Sequence, residues 1–428
     1  MSPIALLFGG FLLLLLVGTP IAVALGLSGT LAILAADLGI MAVPTNIYAG
    51  VAKYPLLAIP VFILAGLIFE RAGVARQIVT FASSIVGDRN GGLAVVAVLV
   101  CMVMGGISGS GPADAAAVAT VMIPSMRKAG YPAAFSASVI AAAAATAILI
   151  PPSVAFIIYS VLVPQASVPA LFAAGLIPGL LAGLSILIPV VILSRRHGFG
   201  LAGAGPRPPF WRSLRDAIWG LLAPVIILGG LRLGVFTPTE AAVVAVFYGL
   251  LIGTVVLRTL TFRKIGDVLA ESAEMSAVIL IVIALAGVFA WAGSTLGAFD
   301  AVADGILSFT GNEIVVLLLL NVALLGVGML LDAISVFLIL LPLLEPLVAA
   351  FGWDPVWFGV VLTMNLAIGQ FTPPMAVNLM VTSRIAGVPM EHMTGWIAWL
   401  VLSMVGALAL VVIFPELALW LPRRLGYL

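Results

Sequence analysis

The sequence predicts an all-α polytopic membrane protein made of two inverted repeats, each with one re-entrant helical hairpin and one broken helix. Three observations predict it. Of 428 residues, 63% are hydrophobic and only 8% are charged, and the mean hydropathy is +1.31, far from the balance of a soluble domain. The apolar runs are long and show little strict alternation, which favours helices over a membrane barrel. Gly- and Pro-rich stretches break these runs at corresponding places in the two halves.

A spanning helix needs about 20 apolar residues. In chain order the apolar segments are 3–18, 20–36, 55–70, 93–106, 133–163, 170–194, 217–235, 239–257, 273–293, 314–331, 355–384 and 394–421. The first run lacks a basic leader and is followed by another run, so it reads as retained. Two stretches, about 107–127 and 329–350, are too interrupted for plain spans and read as hairpins. The stretches 133–163 and 355–384 each contain a Pro-Pro and read as broken helices. The polar insert 195–216 carries Arg195, Arg196, His197, Arg207, Arg212 and Arg215 and divides the chain almost in half. With 18 basic and 17 acidic residues, nothing favours nucleic-acid binding. The single cysteine, Cys101, excludes an intrachain disulfide.

The halves repeat at a spacing of 222 residues: Gly106 pairs with Gly328, Pro124 with Pro346, Gly130 with Gly352, and Pro151-Pro152 with Pro373-Pro374. Loops rich in Lys and Arg stay cytoplasmic. That puts 195–216, Arg258-Arg263-Lys264 and loop 71–92 (Arg71, Arg76, Arg89) inside. The counterpart of that last loop, 294–313, has Asp300, Asp304 and Glu313 and no basic residue, so it reads as external. Matching elements then face opposite sides, as in secondary transporters with a site at mid-membrane. Arg423-Arg424 is the exception, falling outside on this count.

The first hairpin tip, Ser108-Gly109-Ser110-Gly111, offers hydroxyls and unwound carbonyls to a small hard cation such as sodium, with close glycine packing as the alternative. Asp114 and Asp332 are costly inside a bilayer. Each reads either as a cap for the returning hairpin helix or as a group that attracts a cation. The paired breaks, Thr146 through Ser153 and Asn365 through Asn378, remove donors and expose carbonyls. The helix N-termini beyond them suit a carboxylate. Ser110, Asp114, Ser153, Asn365, Thr372 and Asn378 are therefore substrate-binding candidates. Gly106-Ile107-Ser108-Gly109 fits a string found in intramembrane serine proteases, but that chemistry needs a histidine base. The only histidines, His197 and His392, belong to polar loops. Arg232 reads as a side chain snorkelling to the interface.

Several stretches together are specific: Gly106-Ile-Ser-Gly-Ser-Gly-Pro-Ala-Asp, Ile150-Pro-Pro-Ser, Phe236-Thr-Pro-Thr-Glu, Leu331-Asp332, Asp354-Pro-Val-Trp-Phe-Gly and Asn365-Leu-Ala-Ile-Gly-Gln-Phe-Thr-Pro-Pro. On these residues the chain resembles, over nearly its full length, the large permease subunit of tripartite ATP-independent periplasmic (TRAP) transporters, with Met375-Ala376 standing where Val-Gly is usual. The resemblance implies a bacterial inner-membrane subunit that is not an enzyme and has no cofactor beyond sodium as coupling ion. Its implied partners are a small four-helix permease subunit and a periplasmic substrate-binding protein, and its implied cargo is an organic acid such as a C4-dicarboxylate or sialic acid. It also implies an elevator-type ion-transporter fold. One sodium site would use Ser108, Gly109 and Ser110 with Ala147, Ile150 and Pro151. The other would use Gly328, Asp332, Gly369, Thr372 and Met375. The transport domain would comprise 93–163 and 314–384, and the scaffold 1–92, 164–194, 217–313 and 385–428, with 195–216 a cytoplasmic linker. A stand-alone ion-coupled organic-anion permease of the same architecture is the alternative, and an intramembrane enzyme a remote one.

Overall fold

The computed structural model describes residues 2–86, 90–200 and 207–428; Arg89 and the centre of the 195–216 insert, on which part of the charge reading rests, lie outside them. The described residues contain helices and no strand. In the first half these are α1 (Pro3–Leu16), α2 (Ile21–Ala35), α3 (Ala42–Val51), α4 (Ala58–Ala72, led in by a 3-10 turn), α5 (Val74–Val86), α6 (Gly92–Ser108), α7 (Gly111–Lys128), α8 (Ala133–Ala144), α9 (Val154–Leu162) and α10 (Val168–Arg196). The second half has α11 (Phe210–Arg232), α12 (Pro238–Leu251), α13 (Phe262–Thr295), α14 (Ala298–Phe309), α15 (Glu313–Gly328), α16 (Ala333–Phe351), α17 (Pro355–Gly369), α18 (Val377–Ala386), α19 (Thr394–Ile413) and α20 (Glu416–Leu425). Seven helical stretches among the described residues are long and apolar enough to cross a membrane.

Local chemistry sets the boundaries. Ser167 accepts a hydrogen bond from the Ala170 amide and Pro169 follows it, starting α10. Thr237 and Glu240 close a capping box at the start of α12. The Asp354 carboxylate accepts from the Val356 and Trp357 amides before α17. Both Pro-Pro pairs are cis.

The repeat read from the sequence is present element by element. α6, α7 and α8 have α15, α16 and α17 as counterparts, and α9 and α10 have α18 and α19. Packing follows the same exchange: α2 lies on α13, and its counterpart α12 lies on α4, the counterpart of α13. The halves differ where proline differs. Lys53-Tyr54-Pro55 separates α3 from α4, whereas the matching position in the second half is Ala277, and α13 runs unbroken for 34 residues.

Three expectations change. The hairpins are longer than 107–127 and 329–350: those stretches are the turns and returning arms α7 and α16, and the outgoing arms are α6 and α15, expected as separate spans. Each arm has 16–19 residues. At about 1.5 Å per residue an arm is shorter than, or barely equal to, a bilayer core of about 30 Å. Stretches read as loops, 71–92 and 294–313, contain the amphipathic helices α5 and α14. Finally, α10 and α19, expected in the scaffold, pack on α6, α8 and α17. Gly175, Gly179 and Gly183, spaced one turn apart, explain the approach of α10. A Cβ on Gly179 would lie 2.8 Å from Ile150 Cγ1, one on Gly175 would overlap the Leu149 carbonyl and the Phe156 ring, and one on Gly183 would meet the Met102 thioether.

Candidate functional site

Hairpin one turns at Gly109-Ser110 and lies against the first break. Gly109 has φ +61°, and a Cβ there would overlap the Pro152 carbonyl oxygen, so glycine is required on both counts. A Cβ on Gly105 would stand 2.7 Å from Ala147 Cα. One on Gly106 would stand 3.5 Å from the Pro151 oxygen and 3.6 Å from Ile150 Cγ2. The first group of residues singled out in the sequence is thus brought together. The carbonyls of Ile150, Pro151 and Pro152 accept no hydrogen bond among the described residues, and all three residues are buried.

The same tip reaches the second half. A Cβ on Gly111 would overlap Gln370 Oε1 and lie 3.1 Å from both amide atoms of Asn378. Asn378 Nδ2 donates to the Ala141 carbonyl (3.2 Å), leaving its Oδ1 buried without a partner, as is Gln370 Oε1. Hairpin two makes the corresponding contact on its own side. Gly328 and Gly369 meet backbone to backbone, and a Cβ on Gly369 would overlap the Gly328 carbonyl.

The two aspartates differ. Asp332 caps α16: its Oδ2 accepts from the amides of Ile334 (3.0 Å) and Ser335 (3.3 Å), and its Oδ1 accepts from the Ser335 hydroxyl. It is exposed. Asp114 is buried, sits within the first turn of α7 and makes no cap. Its Oδ1 accepts from the Ser108 hydroxyl (2.7 Å), and its Oδ2 has no partner. The capping reading therefore holds for Asp332 and gives way at Asp114 to a side-chain bridge across the hairpin turn.

Both tips face one cavity of about 210 Å³. Ser108 through Ala113 form one wall, Asp332 to Ile334 a second, and Ile148, Val154, Ala155 and Gln370 come from the breaks. The remaining side is apolar: Ile63, Gly66 and Leu67 of α4, with Met275 and Ile279 of α13. Gly66 is the closest approach, since a Cβ there would lie 3.3 Å from Ser108 Cα.

Other singled-out residues do not line this cavity. Ser153 caps α9 and donates to the Ile148 carbonyl (2.6 Å). The Thr372 hydroxyl donates to the Ile368 carbonyl (2.6 Å) at the end of α17. Asn365 donates to Asn321 Oδ1 on α15 (2.7 Å) and to the Val361 carbonyl (2.9 Å), linking a hairpin arm to the broken helix. Met375 is exposed, outside the cavity lining. Gln370 and the α4 and α13 residues were not singled out as site residues, and Gly111 only as part of the hairpin tip. Only Gln370 carries a signal in the sequence, as an amide inside an apolar stretch.

The unpartnered side-chain atoms of Asp114, Gln370 and Asn378 are all oxygens. The amide oxygens of Gln370 and Asn378 lie together beside Gly111, and the Pro151 and Pro152 carbonyls lie beside Gly106 and Gly109; oxygens of these kinds are the ligands that small hard cations take. No group of three His, Cys, Asp or Glu that could hold a metal occurs among the described residues.

A family model described as the tripartite ATP-independent periplasmic transporter, DctM component, matches residues 8–417. The chain is 38% identical over 421 residues to the isethionate TRAP transporter permease protein DctMQ of Oleidesulfovibrio alaskensis, covering 98% of this chain and 66% of that longer protein. It is 37% identical over 420 residues to the sialic acid TRAP transporter large permease protein SiaM of Vibrio cholerae, covering 98% of each. It is 37% identical over 404 residues to the C4-dicarboxylate TRAP transporter large permease protein DctM of Pseudomonas aeruginosa, covering 94% of each. Among solved structures it is similar to the YdaH transporter of Alcanivorax borkumensis (TM-score 0.65, 16% identity, 97% of this chain and 99% of that one). It is also similar to the MtrF efflux pump of Neisseria gonorrhoeae (TM-score 0.59, 14% identity, 97% and 96%); at these identities the likeness speaks to the fold alone. The helical repeat, the match over nearly all of the chain and the shared identity with large permeases place this protein in the DctM family, the large membrane component of TRAP transporters.

Proposed function

We propose that this chain is the inner-membrane subunit through which an organic acid enters the cell by sodium-coupled transport. A periplasmic binding protein delivers the solute and a small permease subunit completes the complex. The relatives named for isethionate, sialic acid and C4-dicarboxylate support an organic anion as cargo. The observation that carries the reading is the shared cavity. Two hairpin tips from opposite repeats meet there, backed by oxygens that no donor among the described residues satisfies and fronted by an apolar helix surface.

Sodium would enter at the first hairpin tip beside the Ile150–Pro152 carbonyls, and at the second near Gly328, Gly369, Thr372 and Met375. Occupied sites would fix the tips and complete a cavity competent for an anion. The hairpins and broken helices, with α10 and α19 riding on them, would then move against α4 and α13. Their wall in the cavity is apolar, so sliding breaks few polar contacts there. Uptake by the complex reconstituted with its small subunit and binding protein tests this. Transport should need an inward sodium gradient, and undiminished uptake without one would overturn the coupling. Solute uptake by the chain alone, without either partner, would favour the stand-alone permease.

A further inference from the structure

A second cavity, of about 440 Å³, lies between α10, α11 and α20 and shares no lining residue with the first. Its walls are Pro169, Phe172, Ala173 and Leu176 on α10, Pro224, Val225 and Leu228 on α11, and Leu421, Leu425 and Tyr427 from the C-terminal segment. All of these are apolar but for the Tyr427 hydroxyl. Arg232, the last residue of α11, stands at the rim with its guanidinium 5.9 Å from the centre of the Tyr427 ring. From Pro224 to Arg232 the groove extends about 12 Å along the helix.

The charge at this rim is out of balance. α10 and α11 are joined by the basic 195–216 connection, and the groove lies at their other ends, beside the first residues of α10 and the last of α11. Arg232 therefore occupies the membrane face opposite the basic connection, as does α20 with Arg423 and Arg424. Basic residues are normally sparse on that face. Arg423 pairs with Glu416 on its own helix, whereas Arg232 and Arg424 make no ion pair among the described residues. The aromatic face under Arg232 orients the guanidinium without neutralising it, leaving its N–H fork free for a phosphate.

We propose that this groove holds an acyl chain of an anionic phospholipid whose phosphate is gripped by Arg232. An apolar slot of this volume suits a lipid tail better than a polar solute. The free cation at its mouth supplies the headgroup preference. Arg424, on the same face, then also has a counter-charge in the membrane.

Native mass spectrometry of the full chain in detergent tests the site, with phosphatidylglycerol and phosphatidylcholine of identical acyl chains offered in equal amounts. The wild type should retain the anionic lipid about fivefold more than the zwitterionic one, from the added charge-assisted bonds. Arg232→Gln should bring the two to parity. Leu228→Trp, or Ala173→Leu from the opposite wall, should reduce retention of both by filling the groove. Equal retention by the wild type, a preference that survives Arg232→Gln, or undiminished binding in both groove-filling variants would overturn the proposal. So would unchanged lipid retention in Arg232→Gln together with lost capture of a periplasmic binding protein, which would assign this face to protein docking.

Discussion

Ser108 does two jobs at the turn of hairpin one. Its hydroxyl donates to Asp114 Oδ1 and accepts from the Ser110 amide (3.2 Å), while the Ser110 hydroxyl has no partner among the described residues. Ser108→Ala strips a buried carboxylate of its only side-chain donor, a loss of about 1–3 kcal/mol, and should lower the unfolding temperature of the purified protein. Ser110→Ala should leave that temperature nearly unchanged and still weaken sodium-dependent uptake. Gly111→Ala places a methyl onto Gln370 Oε1 and against the Asn378 amide and should abolish uptake by displacing both, at little cost in stability because these side-chain ends can shift. The sequence made Ser108, Ser110 and Asp114 stand out because polar groups are rare in such runs. It could not tell a cap from a bridge at Asp114, because that depends on where the turn ends. Ser110, at φ −130° and ψ 112°, takes the N-cap position and leaves Asp114 one turn inside. Gln370 was passed over because its meaning lies in a contact with Gly111, more than 250 residues away in sequence.

At the scale of elements, glycine decides how closely helices meet, and the three glycines of α10 make unequal demands. Gly175 faces the backbone oxygen of Leu149 and an aromatic ring, neither of which can yield. Gly183 faces the flexible Met102 side chain. Gly175→Ala should therefore cost about 1–3 kcal/mol while Gly183→Ala costs a fraction of that, a difference that thermal unfolding of the two variants side by side will read. The helix breaks were legible because proline and glycine punctuate an otherwise uniform apolar text. The amphipathic helices α5 and α14 were not, because their charged ends and short length read as loop. The association of α10 and α19 with the hairpins was hidden too, since every apolar helix of this length looks equally suited to a scaffold.

For the whole molecule, the question is what holds the hairpin group against α4 and α13. The cavity wall is apolar, but among the described residues one polar tie crosses the boundary elsewhere: Lys53, between α3 and α4, donates to the Val161 carbonyl in the last turn of α9 (3.1 Å). A cation at a helix C-terminus is favoured by the peptide dipoles. The repeat does not duplicate this tie. The position matching Lys53 is Met275, which lines the hairpin cavity instead, so the two repeats use one position for a tether and for a sliding wall. If the hairpin group moves along α4 and α13, this bond must open. Lys53→Met keeps the length and removes the donor, about 1 kcal/mol or roughly fivefold in a two-state population. The readout is the labelling rate of Ala113→Cys, a cavity-lining position, with a water-soluble thiol reagent; Cys101 is buried and does not compete. Lys53→Met should change that labelling rate, by up to about fivefold, by depopulating the tethered arrangement. An unchanged rate would mean that α9 and the α3–α4 connection stay together throughout the cycle.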